Sequence, residues 1–445
     1  MGQLKKQFVR YVSLNMLGMV GLSCYILADT FFIARGMGGD GLTALNLVLP
    51  VYSIINGLGL MIGMGGGTRY AISKKGGVFP TALTMALLPA VAFPILGLLW
   101  SRPLAALLGA EGEVLAMASE YLRVILLFTP MFLLNNILVC FVRNDGNPRL
   151  SMTAMAVGSL SNIVLDYVYI FPCGMGMFGA ALATGTAPVV GVLLLIPYLR
   201  GGSCGFSLRG GRIRLAAWGD MALLGMPSFI GEISSGAVIL VFNGLLLDIA
   251  GNTGVAAYGI VANCALVITA LFTGVAQGTQ PLISDAWGGE RKREAAALIR
   301  WGSLVTVGMA AVVYLLAAVW CTGPIVAAFN RQGDSRLAAM AEEGLRLYFL
   351  AFFFQGVNIV AATGFSAMEQ GRRGFLISLL RGLVLVVPCA FLMAGLLGLT
   401  GIWLTPVTAE GLVLALTLVW MRKGGGQDQQ KESWGEFSGE FEEKS

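Results

Sequence analysis

The amino-acid sequence predicts an all-α polytopic membrane protein: twelve transmembrane helices in two pseudo-symmetric six-helix bundles with a central cavity. Three observations carry that expectation. The 445-residue chain is 56% hydrophobic and only 12% charged, with a mean hydropathy of +0.78, whereas soluble domains carry about 25% charged residues. Apolar stretches of about 20 residues, each enough to cross a hydrocarbon core roughly 30 Å thick, recur along the whole length. Finally, the second half of the chain echoes the first.

Taken in order, the apolar stretches fall at 11–34, 42–65, 80–100, 119–141, 150–171 and 176–199, then at 220–248, 254–281, 302–322, 343–367, 374–397 and 399–421. They are continuous runs, not the short alternating segments of a β-barrel. The spans at 220–248 and 254–281 are long enough to tilt or to run past the bilayer. The first is too long for a signal-peptide core and no cleavage site follows it, so it is expected to be retained.

Orientation follows from Lys and Arg in the connections. With the N-terminus inside, 23 of the 29 basic residues collect on the inner side, among them Lys5, Lys6, Arg69, Lys74, Lys75, Arg143, Arg209, Arg212, Arg291 and Arg381. Arg331 is among the six on the outer side. Both termini are therefore expected in the cytoplasm and the protein in the cell inner (cytoplasmic) membrane. The formal charge of +5 reflects this bias, and no nucleic-acid partner is read into it. The seven cysteines stand singly, with no metal or redox spacing, and read as small buried apolar residues. Histidine is absent, so proton chemistry would fall to carboxylates.

Three matches in the same order make the repeat. Gly63 and Gly67-Thr68 align with Gly274 and Gly278-Thr279, and Gly176 to Leu182 with Gly398 to Leu404. The connection Asp145-Gly146-Asn147-Pro148-Arg149 has a looser echo in Glu369 to Arg373. Six spans per half is an even number, so both halves enter the membrane from the same side and the repeat is parallel. The expected organisation is an N-terminal bundle over 1–199, a basic linker over 200–218, a C-terminal bundle over 219–421 and a disordered tail over 422–445. Two bundles with a cleft between them form an alternating-access carrier from a single chain, which is expected to act as a monomer in the lipid bilayer.

Of 24 acidic residues, four sit well inside spans: Asp29, Asp166, Glu232 and Glu410. An intramembrane carboxylate costs about 2.5–3.5 kcal/mol on insertion scales, so it faces a cavity or a partner. At about 1.5 Å per residue, Asp29 and Asp166 lie roughly 27 and 24 Å from the inner ends of their spans. Asn162 precedes Asp166 by four residues and shares its face, and Thr184 lies near the same depth. Two carboxylates, an amide and a hydroxyl on three helices offer hard oxygen ligands for Na⁺, or a place to hold a proton. The alternative is that these acids fasten neighbouring helices. Glu232 and Glu410 lie near mid-depth, and either could bond a helix neighbour. The glycine run from Gly57 to Gly67 has neither the strand nor the Gly-Lys-Ser/Thr of a phosphate loop, so it reads as close helix packing. There is no nucleophile–base set, so an enzyme is not expected, and the absence of a Walker motif argues against direct drive by ATP.

Asp29-Thr30-Phe31-Phe32-Ile33 resembles the first-helix signature of the multidrug and toxic compound extrusion (MATE) family. So do Asp145 to Arg149, Asn162-Ile163-Val164-Leu165-Asp166, Gly179 to Thr184, Ala256 to Ile260 and Gly278-Thr279-Gln280-Pro281. The resemblance implies a twelve-helix antiporter that trades inward Na⁺ or H⁺ for outward organic cations, with no cofactor beyond the coupling ion. It assigns the cation site to Asp29, Asn162, Asp166 and Thr184, with Tyr25 near the first-helix acid. It also matches Glu232 to a seventh-helix Glu. The acid expected of its tenth-helix partner is replaced by Asn358, and Asn15 stands near the place of the family's first-helix proline. A flippase for a lipid-linked saccharide or other amphiphile is the alternative; it would need a cationic cavity, and Arg and Lys are nearly absent from span interiors.

Overall fold

The structure is a computed structural model and describes residues 2–74, 77–201, 204–207, 213–330 and 334–423. Lys75, Arg209, Arg212, Arg331, the linker glycines Gly202, Gly210 and Gly211, and the tail from Gly424 lie outside the described residues. Within them the fold is helical throughout. In chain order the helices are α1 (Gly2–Ser73), α2 (Val78–Leu107), α3 (Gly112–Leu127), α4 (Thr129–Asn144), α5 (Pro148–Ile170), α6 (Gly176–Arg200), α7 (Ala217–Gly288) and α8 (Lys292–Val313). They continue with α9 (Thr322–Phe329), α10 (Ser335–Tyr348), α11 (Phe352–Ala367), α12 (Gly371–Leu379) and α13 (Val386–Lys423). Among the described residues, eight helical stretches are long and apolar enough to cross a membrane, and a ninth arises if α3 and α4, bent by 50° at their junction, form one span. The chain is thus a multi-pass helical membrane protein.

Twelve separate spans were expected; here several run together, for a local reason. α1 and α7 each have 72 residues, which unbroken would extend about 108 Å, more than three hydrocarbon cores. Each is broken at one glycine: Gly38 with φ 67°, ψ −153°, and Gly251 with φ 67°, ψ −160°. Only a residue without Cβ adopts that conformation readily. The chain reverses there without a loop and helix resumes at once. Gly398 (φ 59°, ψ −132°) divides α13 in the same way.

Buried apolar side chains form three clusters. The largest takes its residues from Phe242 to Val413, joined by Phe8 and Val12 of α1; the others run from Ile33 to Ala181 and from Met61 to Met221. Large apolar side chains also stand outward, such as Leu88, Leu99, Leu240 and Leu396, as expected of surfaces that meet lipid. The cysteines depart from expectation: Cys140 is buried, but Cys24, Cys173 and Cys321 are exposed. In a membrane span a small apolar residue gains as much from facing lipid as from facing protein, so burial statistics from soluble folds do not transfer.

The helices α1 and α7 cross start to end. A methyl group added at Gly274 would lie 2.9 Å from Met16 Cα, and one at Gly278 2.8 Å from Val12 Cα. Reciprocally, a methyl group at Gly65 or Gly225 would run into the carbonyl oxygen of Met221 or Met61. Glycine permits that approach. Gly63 and Gly67 were aligned with Gly274 and Gly278, yet they pack on Asn136, Cys140 and Asn144 of α4. The aligned glycines therefore serve different contacts.

Polar ties surround this crossing at one end of the bundle, which we call the basic end. Gln280 Nε2 donates to Thr68 Oγ1 at 2.8 Å, and Lys74 Nζ to Asp285 Oδ1 at 2.8 Å. Arg69 pairs with Asp220 and Glu369. Arg143 at the end of α4 is fully buried, and donates to Asn15 Oδ1 (2.8 Å) and Gln277 Oε1 (3.0 Å). Partial burial pushes the Asp285 carboxyl up, but the bonds and charges of Lys74 and Arg291 outweigh it and hold it below the usual value. Its contribution is therefore present above the ordinary carboxylate range and is lost only as pH falls through that lowered value. The linker is tied to the same end. Asp145 accepts from Tyr70 Oη, Tyr198 Oη (2.7 Å) and the Gly205 N–H (2.8 Å), and Phe206 packs among Tyr70, Phe79 and Phe141.

Gly65→Ala is expected to destabilise the protein by about 1–3 kcal/mol, the usual range for overpacking. Gly236→Ala, where no atom lies within 4 Å of the added methyl, is expected to be neutral or slightly stabilising. Thermal melting in detergent distinguishes the two.

Candidate functional site

Asp29 lies on α1 nine residues before the Gly38 break, and its residue is 6% exposed. Asn162 and Asp166, both 0% exposed, present one face of α5, and Thr184 of α6 is 4% exposed. The four residues meet. The Asn162 amide is assigned from its surroundings in the orientation that satisfies both ends: its nitrogen donates to Asp166 Oδ2 at 3.1 Å and its oxygen accepts from the Thr184 N–H at 3.1 Å. The Asp29 carboxylate is near enough for its charge to act on Asp166. Asp29 Oδ1 and Asp166 Oδ1 are buried with no hydrogen-bond partner among the described residues.

That geometry defines what the site can do. A buried carboxylate oxygen with no donor is costly, and two such acids side by side are costlier. Either a proton on one carboxyl or a monovalent cation between the two removes the penalty. Oxygens of Asp29, Asp166 and Thr184 could contribute to such a cation site, while Asn162 orients Asp166.

Three tyrosines border the pair. Tyr25 Oη shares a hydrogen bond with Tyr52 Oη at 2.8 Å, and Tyr121 of α3 interacts with the Thr184 hydroxyl and feels both acids. Tyr25 was anticipated; Tyr52 and Tyr121 were not. The available signal was a single phenol within each span, since a buried tyrosine hydroxyl needs a polar partner.

The remaining candidates separate. Glu232 of α7 packs against the second part of α1, its Cβ 3.3 Å from a methyl group placed at Gly57 and its carboxyl near Asn56, and Asn56 Oδ1 accepts from Asn136 Nδ2 at 2.9 Å. Glu232 thus reaches across to the first half of the chain. Asn358 instead donates to Glu410 Oε2 at 2.8 Å and accepts from Thr417 Oγ1 at 3.0 Å. Glu410 in turn is ion-paired with Arg381, whose Nη2 lies 2.7 Å and whose Nε lies 3.1 Å from Oε1.

This corrects one sequence reading. Arg381 was assigned to an inner connection, yet it stands ten residues into the α12–α13 stretch, in the π turn Leu380–Val384, with a side chain only 13% exposed. Span interiors are therefore not free of cations. Arg143, placed on the inner side, stands at the basic end and is fully buried there. Basic residues set topology when counted, but the count does not say which of them turn inward to a partner.

The MatE family model matches residues 15–168 and 227–392. The multidrug export protein MepA of Staphylococcus aureus (strain MRSA252) is 29% identical over 417 residues, covering 91% of this chain and 90% of its own. Among solved structures, one described as the outward-facing conformation of a multidrug resistance MATE family transporter of the MOP superfamily superposes with a TM-score of 0.85. It is 22% identical and covers 94% of this chain and 95% of its own. A MOP superfamily transporter from Pyrococcus furiosus, described as having reversed polarity in its binding pocket, superposes with a TM-score of 0.83 at 21% identity and with the same coverage.

Because the two acids repel each other when both are ionised, Asp166→Asn is expected to raise the melting temperature at low sodium and neutral pH or above. The same substitution is expected to abolish any rise produced by adding Na⁺ to the wild type, since a ligand stabilises only the form that binds it. A variant that melts lower and still responds to Na⁺ would contradict this account of the site.

Proposed function

The chain belongs to the MatE family, and from that membership we propose that it is a secondary active antiporter. It exports organic cations and drugs in exchange for inward Na⁺ or H⁺ by alternating access. The observation that carries this reading is the Asp29–Asp166 pair, with a buried oxygen on each acid that makes no hydrogen bond. Its stability must change when a cation or proton enters or leaves.

With each stretch divided at Gly38, Gly251 and Gly398, we read the apolar stretches as twelve spans. We assign them to two six-helix bundles, 1–199 and 219–421, with a central cavity between them. The linker lies over 200–218, and both termini are in the cytoplasm. Close contact of α1 with α7 and the ties at Thr68, Lys74 and Asp285 close the basic end. If that end faces the cytoplasm, as the basic residues imply, this is a conformation closed inward. An incoming cation can drive the cycle only through different affinities for the two conformations. The export of drugs is taken from the name of the staphylococcal relative, and flat apolar cations are the class that aromatic and Met side chains with a few acids would hold.

The lipid-saccharide flippase is less well supported. It would need cations facing the cleft, whereas Arg381 is neutralised by Glu410 and Arg143 is held by Asn15 and Gln277. The unmatched charge near the centre of the first half is acidic.

In proteoliposomes loaded with a fluorescent organic cation, an imposed Na⁺ or pH gradient is expected to drive uphill export by the wild type. Asp166→Asn is expected to reduce it to the rate without a gradient. Gradient-driven export untouched by Asp166→Asn would place coupling elsewhere, with Glu232 the first residue to test. No export under either gradient would overturn the antiporter reading.

A further inference from the structure

Each half of the chain contains a small polar assembly of a carboxylate, an asparagine amide and a threonine. In the first half a carboxylate, an amide and a threonine follow one another: the Asn162 amide donates to Asp166 Oδ2 at 3.1 Å and accepts from the Thr184 N–H at 3.1 Å. In the second half Asn358 Nδ2 donates to Glu410 Oε2 at 2.8 Å, and Asn358 Oδ1 accepts from Thr417 Oγ1 at 3.0 Å. The fourth member differs. Beside Asp166 stands a second acid, Asp29; beside Glu410 stands a base, Arg381.

The consequence shows in the oxygens. Asp29 and Asp166 each keep a buried oxygen without a hydrogen bond. Both oxygens of Glu410 are occupied: Oε1 accepts from Arg381 Nη2 at 2.7 Å and from Nε at 3.1 Å, and Oε2 accepts from Asn358. The side chains are buried, 13% exposed for Arg381 and 6% for Glu410. In a low-dielectric setting a carboxylate so held has neither the charge nor the free lone pairs to attract a second cation. The π turn Leu380–Val384 is part of the device. Such a bulge adds a residue to one turn and redirects its side chains, and here Gly382 is pressed against the Ser234 hydroxyl while Arg381 turns toward Glu410.

We propose that Arg381 is a cation carried by the chain itself, whose guanidinium fills in the second half the place that a mobile Na⁺ or H⁺ takes in the first. Glu410 accordingly takes no mobile cation, and Arg381 positions and occupies it permanently. The proposal rests on the cation-site reading of Asp29 and Asp166, but its test does not depend on transport. Removing the guanidinium leaves Glu410 as a buried acid with Asn358, Thr417 and the nearby Tyr348 around it. That acid must then take up an external cation.

The test uses the purified full-length protein and two readouts: binding of radioactive ²²Na⁺, and the infrared absorption of protonated carboxyl groups. Relative to Arg381→Met/Glu410→Gln, Arg381→Met is expected to show one additional bound Na⁺ or one additional protonated carboxyl per molecule. Relative to wild type, Glu410→Gln is expected to change neither. Arg381→Lys, which keeps the charge, is expected to behave as wild type. A loss of bound Na⁺ or of a protonated carboxyl in Glu410→Gln would show that Glu410 already holds a mobile cation, and would overturn the proposal. So would identical results for Arg381→Met and Arg381→Met/Glu410→Gln. Should Arg381→Met fail to fold, the comparison of wild type with Glu410→Gln decides. Asp166→Asn, measured alongside, reports on the first-half site separately: its failure to lose a cation would refute that site and leave the Glu410 result intact.

Discussion

A charge buried where water cannot reach must be answered by something, and this chain answers that requirement in three ways. Glu410 is answered by a guanidinium on the neighbouring helical stretch. Arg143 is shared among neutral acceptors, the side-chain oxygens of Asn15 and Gln277. Asp29 and Asp166 are answered only in part, because each keeps an oxygen to which the described residues offer nothing. The first arrangement is complete in itself, and the second satisfies the Nη1 end of the guanidinium while Nε finds no partner among the described residues. The third is complete only with a proton or a cation, which makes it the place where the protein's energy depends on its surroundings.

Helix connectivity carries that dependence away from the site. Asp29 belongs to the first arm of α1, the arm whose start packs backbone to backbone on the end of α7 at Gly274 and Gly278. Asn15, on the same arm, accepts from Arg143, and Arg143 also donates to Gln277 of α7. A tilt or rotation of this arm on neutralising Asp29 would therefore act on the contact that joins the two halves. The close glycine approaches leave little room for gradual deformation, so the crossing favours two discrete arrangements over a continuum. Glu232 and Asn56 add a polar contact between the halves away from the basic end.

Much of this was legible in the sequence, for identifiable reasons. The helical class followed from composition, and the pairing of Asn162 with Asp166 from a spacing of four. The meeting of Asp29 with Asp166 and Thr184 followed from depth, because rise per residue is fixed and buried acids are rare. Arg381 was misplaced because basic residues near a span end normally set topology; nothing in a linear pattern announces a π turn that swings one of them onto Glu410. Tyr52 and Tyr121 were lost among aromatic residues that mostly pack. The breaks at Gly38, Gly251 and Gly398 fall between the expected spans 11–34 and 42–65, 220–248 and 254–281, and 374–397 and 399–421. The continuity of helix up to a single glycine was not legible, because a linear pattern does not show where one residue turns the chain. The exposed cysteines were missed because the expectation came from proteins surrounded by water.

Occupancy of the Asp29–Asp166 pair is proposed to bias the contact between the halves. That bias is tested most directly by distances between spin labels at Arg149 and Arg293, at the basic end, and at Gly39 and Asn252, beyond the glycine reversals. On moving the wild type between low and high Na⁺, or between alkaline and mildly acidic pH, the two distances are predicted to change in opposite senses. In Asp166→Asn both distances should be insensitive to those conditions. Equal changes in wild type and Asp166→Asn would contradict the account, since the conformational equilibrium would then be answering to a charge somewhere else.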